Sequence, residues 1–206
     1  MHRILSIVVP ILACAVGFSC GNDVHSAPPP PTTRPRATSS EWTGVHNAAR
    51  VSANLYRGGQ PTQAGFATLK SMGIKTIVDL RGKSHLDKAD GLGLSLVHIP
   101  ANIERPNVEQ IIAFLHLMRS PASTPVFIHD DLGADRVGLF VAAYRMVEED
   151  WSADDALAEL PQFRFDVYWI SVPKFIRHLD VKAIREKLDA MPTTRPATKP
   201  APTVSG

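Results

Sequence analysis

The chain has 206 residues, with 22 basic and 20 acidic side chains, 17 prolines and two cysteines. That length suits one well-packed domain and is short for two, and the composition excludes a collagen-like, coiled-coil or wholly disordered protein. Both cysteines, Cys14 and Cys20, precede residue 21, so a disulfide-stapled or cysteine–zinc fold is excluded for everything after them.

The formal net charge of +2 belongs to the ends. Residues 41–191 carry 17 basic and 19 acidic side chains, a balance of −2, whereas Arg3, Arg34, Arg36, Arg195 and Lys199 face only Asp23. A nucleic-acid partner is therefore not expected for the domain.

At the N-terminus, His2 and Arg3 precede the apolar run Ile4–Leu12 and the small residues Ala13 and Cys14, with no acid before Asp23. This is the layout of a secretory signal over residues 1–20. The apolar run is interrupted by Pro10 and is short for a membrane span of ~20 residues. Ile11-Leu12-Ala13-Cys14 looks like a bacterial lipobox, in which the cysteine is lipidated and becomes the mature N-terminus. Cys20, followed by Gly21-Asn22-Asp23, is a second candidate. The expectation is an exported periplasmic or cell-envelope protein, attached to the membrane through an N-terminal lipid or else free. Five prolines within 28–35 and four within 192–202 mark a tether over 21–40 and a disordered tail over 192–206, because proline at that density cannot build a core.

The intervening segment, 41–191, alternates strand and helix signals. Leu55–Arg57 ends a short strand, followed by the turn Gly58-Gly59-Gln60-Pro61. Thr62 is placed to cap a helix carrying Phe66, Leu69 and Met72, with Gly73 as its stop. Ile74–Leu80 and Leu94–Ile99 read as strands, and Asn107 caps a helix carrying Ile111, Ile112, Leu115 and Met118. Pro125–Ile128 is too short for a helix and fits a buried parallel strand. Helices follow over about 136–149, 152–160 and 172–188. The pattern predicts a single α/β domain with a central, mostly parallel sheet flanked by helices.

The chemistry concentrates after that buried strand, in His129-Asp130-Asp131-Leu132-Gly133-Ala134-Asp135-Arg136-Val137-Gly138. A strand that runs through a compact, glycine-containing loop into a helix aims successive backbone N–H groups and the helix dipole at one spot. Arg136 adds a planar fork suited to two phosphate oxygens. This loop resembles the phosphate-binding loop of the cysteine-dependent protein tyrosine and dual-specificity phosphatases, whose pattern is His-Cys, five residues, Arg. Leu55–Pro61, Gly73–Arg81, Val97–Pro100 and Gly138–Met146 resemble the flanking blocks of small bacterial members, in the expected order.

The resemblance implies a dual-specificity-phosphatase-like fold and a phosphate site formed by Asp131, Leu132, Gly133, Ala134, Asp135 and Arg136, supported by His129. Asp130 stands where the family has its nucleophilic cysteine, and Val137 where members commonly carry a hydroxyl. The family's chemistry needs a thiolate with a lowered pKa that forms a phosphocysteine. Asp135 is a candidate general acid, or else a helix N-terminal charge. Glu104, in the loop Pro100–Pro106 where Asn102 holds the usual acid position, is a weaker candidate. Arg57 and Arg81 end strands on the same sheet edge and are read either as substrate contacts or as solvated arginines. His85, His98, His116 and His178 lack metal-ligand spacing, so neither metal nor cofactor is expected.

Three functions follow: a pseudophosphatase that binds phosphate, a phosphoprotein or a small phosphorylated ligand; an active phosphomonoesterase; or a scaffold whose anion site Asp130 fills. If Asp130 accepts hydrogen bonds from the loop amides, it competes with an incoming phosphate and the last gains. A monomer is expected.

Overall fold

The structure, a computed structural model, describes residues 35–83, 89 and 91–192. Residues 1–20, expected to form a signal peptide, with the candidate lipidation sites Cys14 and Cys20, as well as His85 and residues 193–206 of the expected tail, lie outside the described residues.

Among the described residues, six strands form one mixed sheet: β1 (Ser40–Trp42), β2 (Val45–Arg50), β3 (Leu55–Gly58), β4 (Thr76–Asp79), β5 (Ser95–His98) and β6 (Val126–His129), in spatial order β1-β2-β3-β6-β4-β5. The four strands β3, β6, β4 and β5 are parallel, and β1 and β2 extend them as an antiparallel hairpin. The α/β expectation holds, with a parallel core and an antiparallel edge.

Every residue of β6 is buried, as its unbroken apolar run implied. Its side chains alternate between two cores. Val126 and Ile128 join the larger, with residues of α2 (Val108–Met118), α3 (Asp135–Glu148), α5 (Ser171–Arg177) and α6 (Val181–Ala190). Phe127 joins the smaller, with Phe66 and Leu69 of α1 (Gln63–Ser71). Between α3 and α5 lie the short α4 (Ala153–Leu157) and a 3-10 turn over Leu160–Phe163.

Helix starts fall where the side-chain acceptors stand. Thr62 accepts from the Gly65 amide at 3.2 Å, and Asn107 accepts from the Glu109 amide at 2.8 Å. Gly73, at φ +81°, supplies the left-handed stop of α1. Met72 is 39% exposed at the C-cap instead of facing the core, because α1 has already ended.

Two features depart from expectation. The hairpin β1–β2 was not anticipated, since Asn47, Ala48 and Ala49 are buried consecutively and no period-two alternation marks the strand. The packed domain also begins inside the stretch read as tether: Ala37 is buried, and Ser39 and Ser40 already bond to β2.

Candidate active site

β3, β4 and β6 run parallel and end side by side at Gly58, Asp79 and His129, so the loop after β6 opens at the carboxyl edge of the sheet. Ligands of open parallel sheets bind at this edge. The loop, residues 130–134, leads directly into α3, whose N-cap Ala134 has no side chain able to accept.

That capping task falls to Asp130. Its Oδ1 accepts from the amides of Leu132 at 3.0 Å and Gly133 at 2.5 Å, and its Oδ2 from those of Arg136 at 3.1 Å and Val137 at 3.3 Å. The residue is 3% exposed. A carboxylate thus occupies the centre of an amide cradle at a helix N-terminus, and each charge-assisted bond is worth roughly 1.5–3 kcal/mol.

The loop carbonyls are held from the opposite side. Asn47 donates through Nδ2 to the carbonyls of Leu132, Gly133 and Phe163 at 3.0–3.1 Å. Arg57 donates through Nη2 to Gly133 O at 2.9 Å, with Ala134 O at 3.5 Å, and its guanidinium lies 3.6 Å over the Phe163 ring. Leu132 O and the Gly133 amide belong to one trans peptide unit, so fixing that carbonyl beneath turns the Gly133 amide the other way, towards Asp130. Gly133 makes the turn at φ +73°, and a Cβ there would stand 2.4 Å from the Gly58 carbonyl carbon. The glycine pair Gly58-Gly59 is therefore the floor on which Gly133 rests.

Arg57 and Arg81 are not solvated arginines. Arg57 is fully buried, and burial lowers its pKa to about 10 against the raising effect of Glu159 and Asp130. Arg81 is 6% exposed and donates through Nε and Nη2 to the two oxygens of buried Asp79 at 2.9 and 2.8 Å, while its Nη1 lies 3.9 Å from Asp131 Oδ1. Burial raises the Asp79 carboxyl's pKa, but the Arg81 hydrogen bonds together with the nearby His129 and Arg81 charges outweigh that and leave it lowered.

At the mouth, Arg136 Nη1 donates to Asp131 Oδ2 at 3.2 Å. The Asp131 side chain is 63% exposed and Leu132 projects at 64%. Asp135 Oδ1 accepts from the Asp166 amide at 2.9 Å. Burial raises the Asp135 pKa, the Asp166 amide opposes it, and the nearby Asp130 charge raises it further. His129 is buried and stacked on Phe127, with Nδ1 3.3 Å from Asp130 O, and burial lowers its imidazole's pKa.

Glu104 borders a groove of about 620 Å³ beside α5, together with Ser171, Lys174, Phe175 and His178, and no residue of the 130–136 loop shares that lining. Asn102 shapes its own turn, accepting from the amides of Glu104 and Arg105 at 2.8 and 3.1 Å. Asn47 and Phe163 escaped the sequence reading, since neither belongs to a motif; the left-handed φ of +52° at Asn47 is visible only in the fold.

A family described as DSP-PTPase phosphatase fused to NAD+ kinase matches residues 33–177. The dual specificity protein phosphatase TpbA of Pseudomonas aeruginosa is 28% identical over 194 residues, covering 90% of this chain and 87% of TpbA. The crystal structure of TpbA in complex with pTyr superposes with a TM-score of 0.66 at 24% identity, covering 78% of this chain and all of that one. The catalytic core of the PP-IP phosphatase SIW14 from S. cerevisiae, in complex with citrate, gives 0.58 at 23%, covering 67% and 90%.

Proposed function

Since the chain belongs to the family of DSP-PTPase phosphatases fused to NAD+ kinase, we propose that it is a pseudophosphatase of the dual-specificity type, with Asp130 in the nucleophile position and its own carboxylate filling the anion loop. The observation that carries this reading is the set of four amide bonds to Asp130. A carboxylate attacking phosphorus would need a free lone pair directed at it. Here each oxygen accepts from two backbone amides, which lowers its nucleophilicity and fixes its orientation. The domain has no thiol to substitute, and Val137 offers no hydroxyl to assist turnover.

A second reading, recognition of a phosphorylated ligand without hydrolysis, is favoured by one feature. The fork of Arg136 is held at the mouth by an exposed carboxylate, Asp131, and such pairs are worth only ~0–1 kcal/mol. A phosphoryl group could take Arg136 from it. TpbA with pTyr supplies the analogy. Asp135 and Glu104 have no leaving group to protonate in either reading.

The decisive assay uses an aryl phosphate without added metal. Wild type is expected to show no turnover, Asp130→Cys to gain it, and Asp130→Cys/Arg136→Ala to lose it again. Metal-independent wild-type turnover that disappears in Arg136→Ala would overturn the proposal. By calorimetry, inorganic phosphate should bind Asp130→Ser at least ~10-fold more tightly than wild type, because the amides of Leu132, Gly133, Arg136 and Val137 are released from the carboxylate. Equal affinities would exclude self-occupancy. Export and lipidation at Cys14 or Cys20 form part of the same proposal, and mass spectrometry of the mature N-terminus tests them.

A further inference from the structure

The segment just before β1 touches Asn47 directly and reaches Arg57 through the Phe163 ring, and these two residues hold the underside of the loop. Ser39 Oγ donates to Asn47 Oδ1 at 2.7 Å, and the same carboxamide donates through Nδ2 to Leu132 O and Gly133 O. The bond from Ser39 fixes which end of the carboxamide faces the loop: an oxygen turned that way would meet three carbonyls and donate to none. Two residues earlier, the Ala37 amide donates to Glu159 Oε1 at 2.7 Å across buried space. Glu159 is itself held by Arg145 through two bonds of 2.8 and 3.2 Å. The Ala37 side chain packs with Ala49 and Phe163, the ring that stacks on Arg57. Two lines therefore run from this short stretch to the loop, one polar through Asn47 and one apolar through Phe163 and Arg57. Both end on the carbonyl of Gly133.

We infer that residues 37–39 are a brace for the anion loop: Ser39 and Ala37 are positioning residues that hold its amides turned towards Asp130. The inference rests on reading the loop as an anion site, although the brace itself acts on the loop's backbone whatever binds there. It makes the stretch where the proline-rich segment meets the domain part of the site, and a partner that pulled residues 37–39 away would loosen the cradle.

Hydrogen exchange on the full chain tests the brace. In Ser39→Ala and in Ala37→Asp, which sets a carboxylate beside Glu159, the amides of Leu132, Gly133, Arg136 and Val137 should exchange roughly tenfold faster or more. Amides in α2 and α6 should keep their wild-type rates. Ser39→Thr, which retains the hydroxyl, should restore loop protection. Unchanged loop protection in Ser39→Ala, or in an Ala37→Asp chain whose residue-37 amide exchanges freely, overturns the brace. Should Ala37→Asp also lose protection in α2, Ser39→Ala decides alone. Inorganic phosphate separates this inference from the reading beneath it. Asp130→Ser is expected to bind phosphate, and Asp130→Ser/Ser39→Ala several-fold more weakly. Absence of binding in Asp130→Ser refutes the anion-site reading, while the exchange rates still decide the brace.

Discussion

Beneath the 130–136 loop, Arg57 is fully buried, stacked on Phe163 and bonded to loop carbonyls; at its mouth, Arg136 pairs with a carboxylate that is 63% exposed. The two arginines lie on opposite sides of one short loop, and the water between them and their partners differs. A buried charge that loses its partner costs several kcal/mol, whereas a screened surface pair contributes close to nothing. The underside therefore carries the shape of the loop, and the mouth is open to change in its chemistry without loss of the fold. Asp130 lies at the boundary: it is as buried as the underside, yet its carboxylate fills the centre of the cradle that opens at the mouth.

Substitutions on the two sides should separate accordingly. The largest loss is expected for Arg57→Ala, about 3–5 kcal/mol in urea unfolding, since Gly133 O loses its 2.9 Å donor and a cavity opens against Phe163. Arg57→Met, which fills that space without a charge, should lose less. A cost for Arg57→Ala under 1 kcal/mol would erase the contrast. Asn47→Ala should cost about 2–3 kcal/mol, because buried loop carbonyls lose their donor and alanine is strained at φ +52°. Asn47→Gly should recover about 1 kcal/mol of that, the part due to the backbone, and no recovery would show that the strain is absent.

Asp79 gives a smaller effect with a definite sign. Its folded carboxyl lies below the ordinary value of 3.8, so the stability it adds with Arg81 is present in full above that value and is lost as pH falls through the folded pKa. Wild type should be more stable than Asp79→Asn above pH 5, and the gap should shrink below pH 4. A gap that widens on acidification would contradict the pairing. The smallest effect belongs to the mouth: Arg136→Ala should change unfolding free energy by no more than ~0.5 kcal/mol.

This contrast also explains how far the site could be read in advance. His129 through Arg136 form one continuous stretch, and a buried strand, a glycine turn and a helix start announce an anion cradle without any distant contact. The partners of that cradle carry no such mark. Val45–Arg50 is poor in strand-forming side chains and buries three residues in succession, so neither β2 nor the role of Asn47 shows in its pattern. Arg57 was visible as a strand end, but whether it met solvent or a phenyl ring depended on where the Leu160–Phe163 turn came to rest. Glu104 was a candidate by loop position, and that it shares a groove with residues of α5 could not be read from the sequence.

The sequence by itself determined the α/β alternation, the capped helices, the absence of any thiol after Cys20, and the run of Asp130, Gly133 and Arg136 within a single turn of chain. Those properties are local: each rests on residues a few positions apart, where periodicity and turn chemistry act directly. Only the tertiary structure decided that the cradle's amides close on Asp130 and that Asn47, Arg57 and residues 37–39 hold it there. The contacts concerned join residues 85, 76 and 122 positions apart. Their geometry follows from how the sheet and the last helices pack together, which no local pattern in the chain specifies.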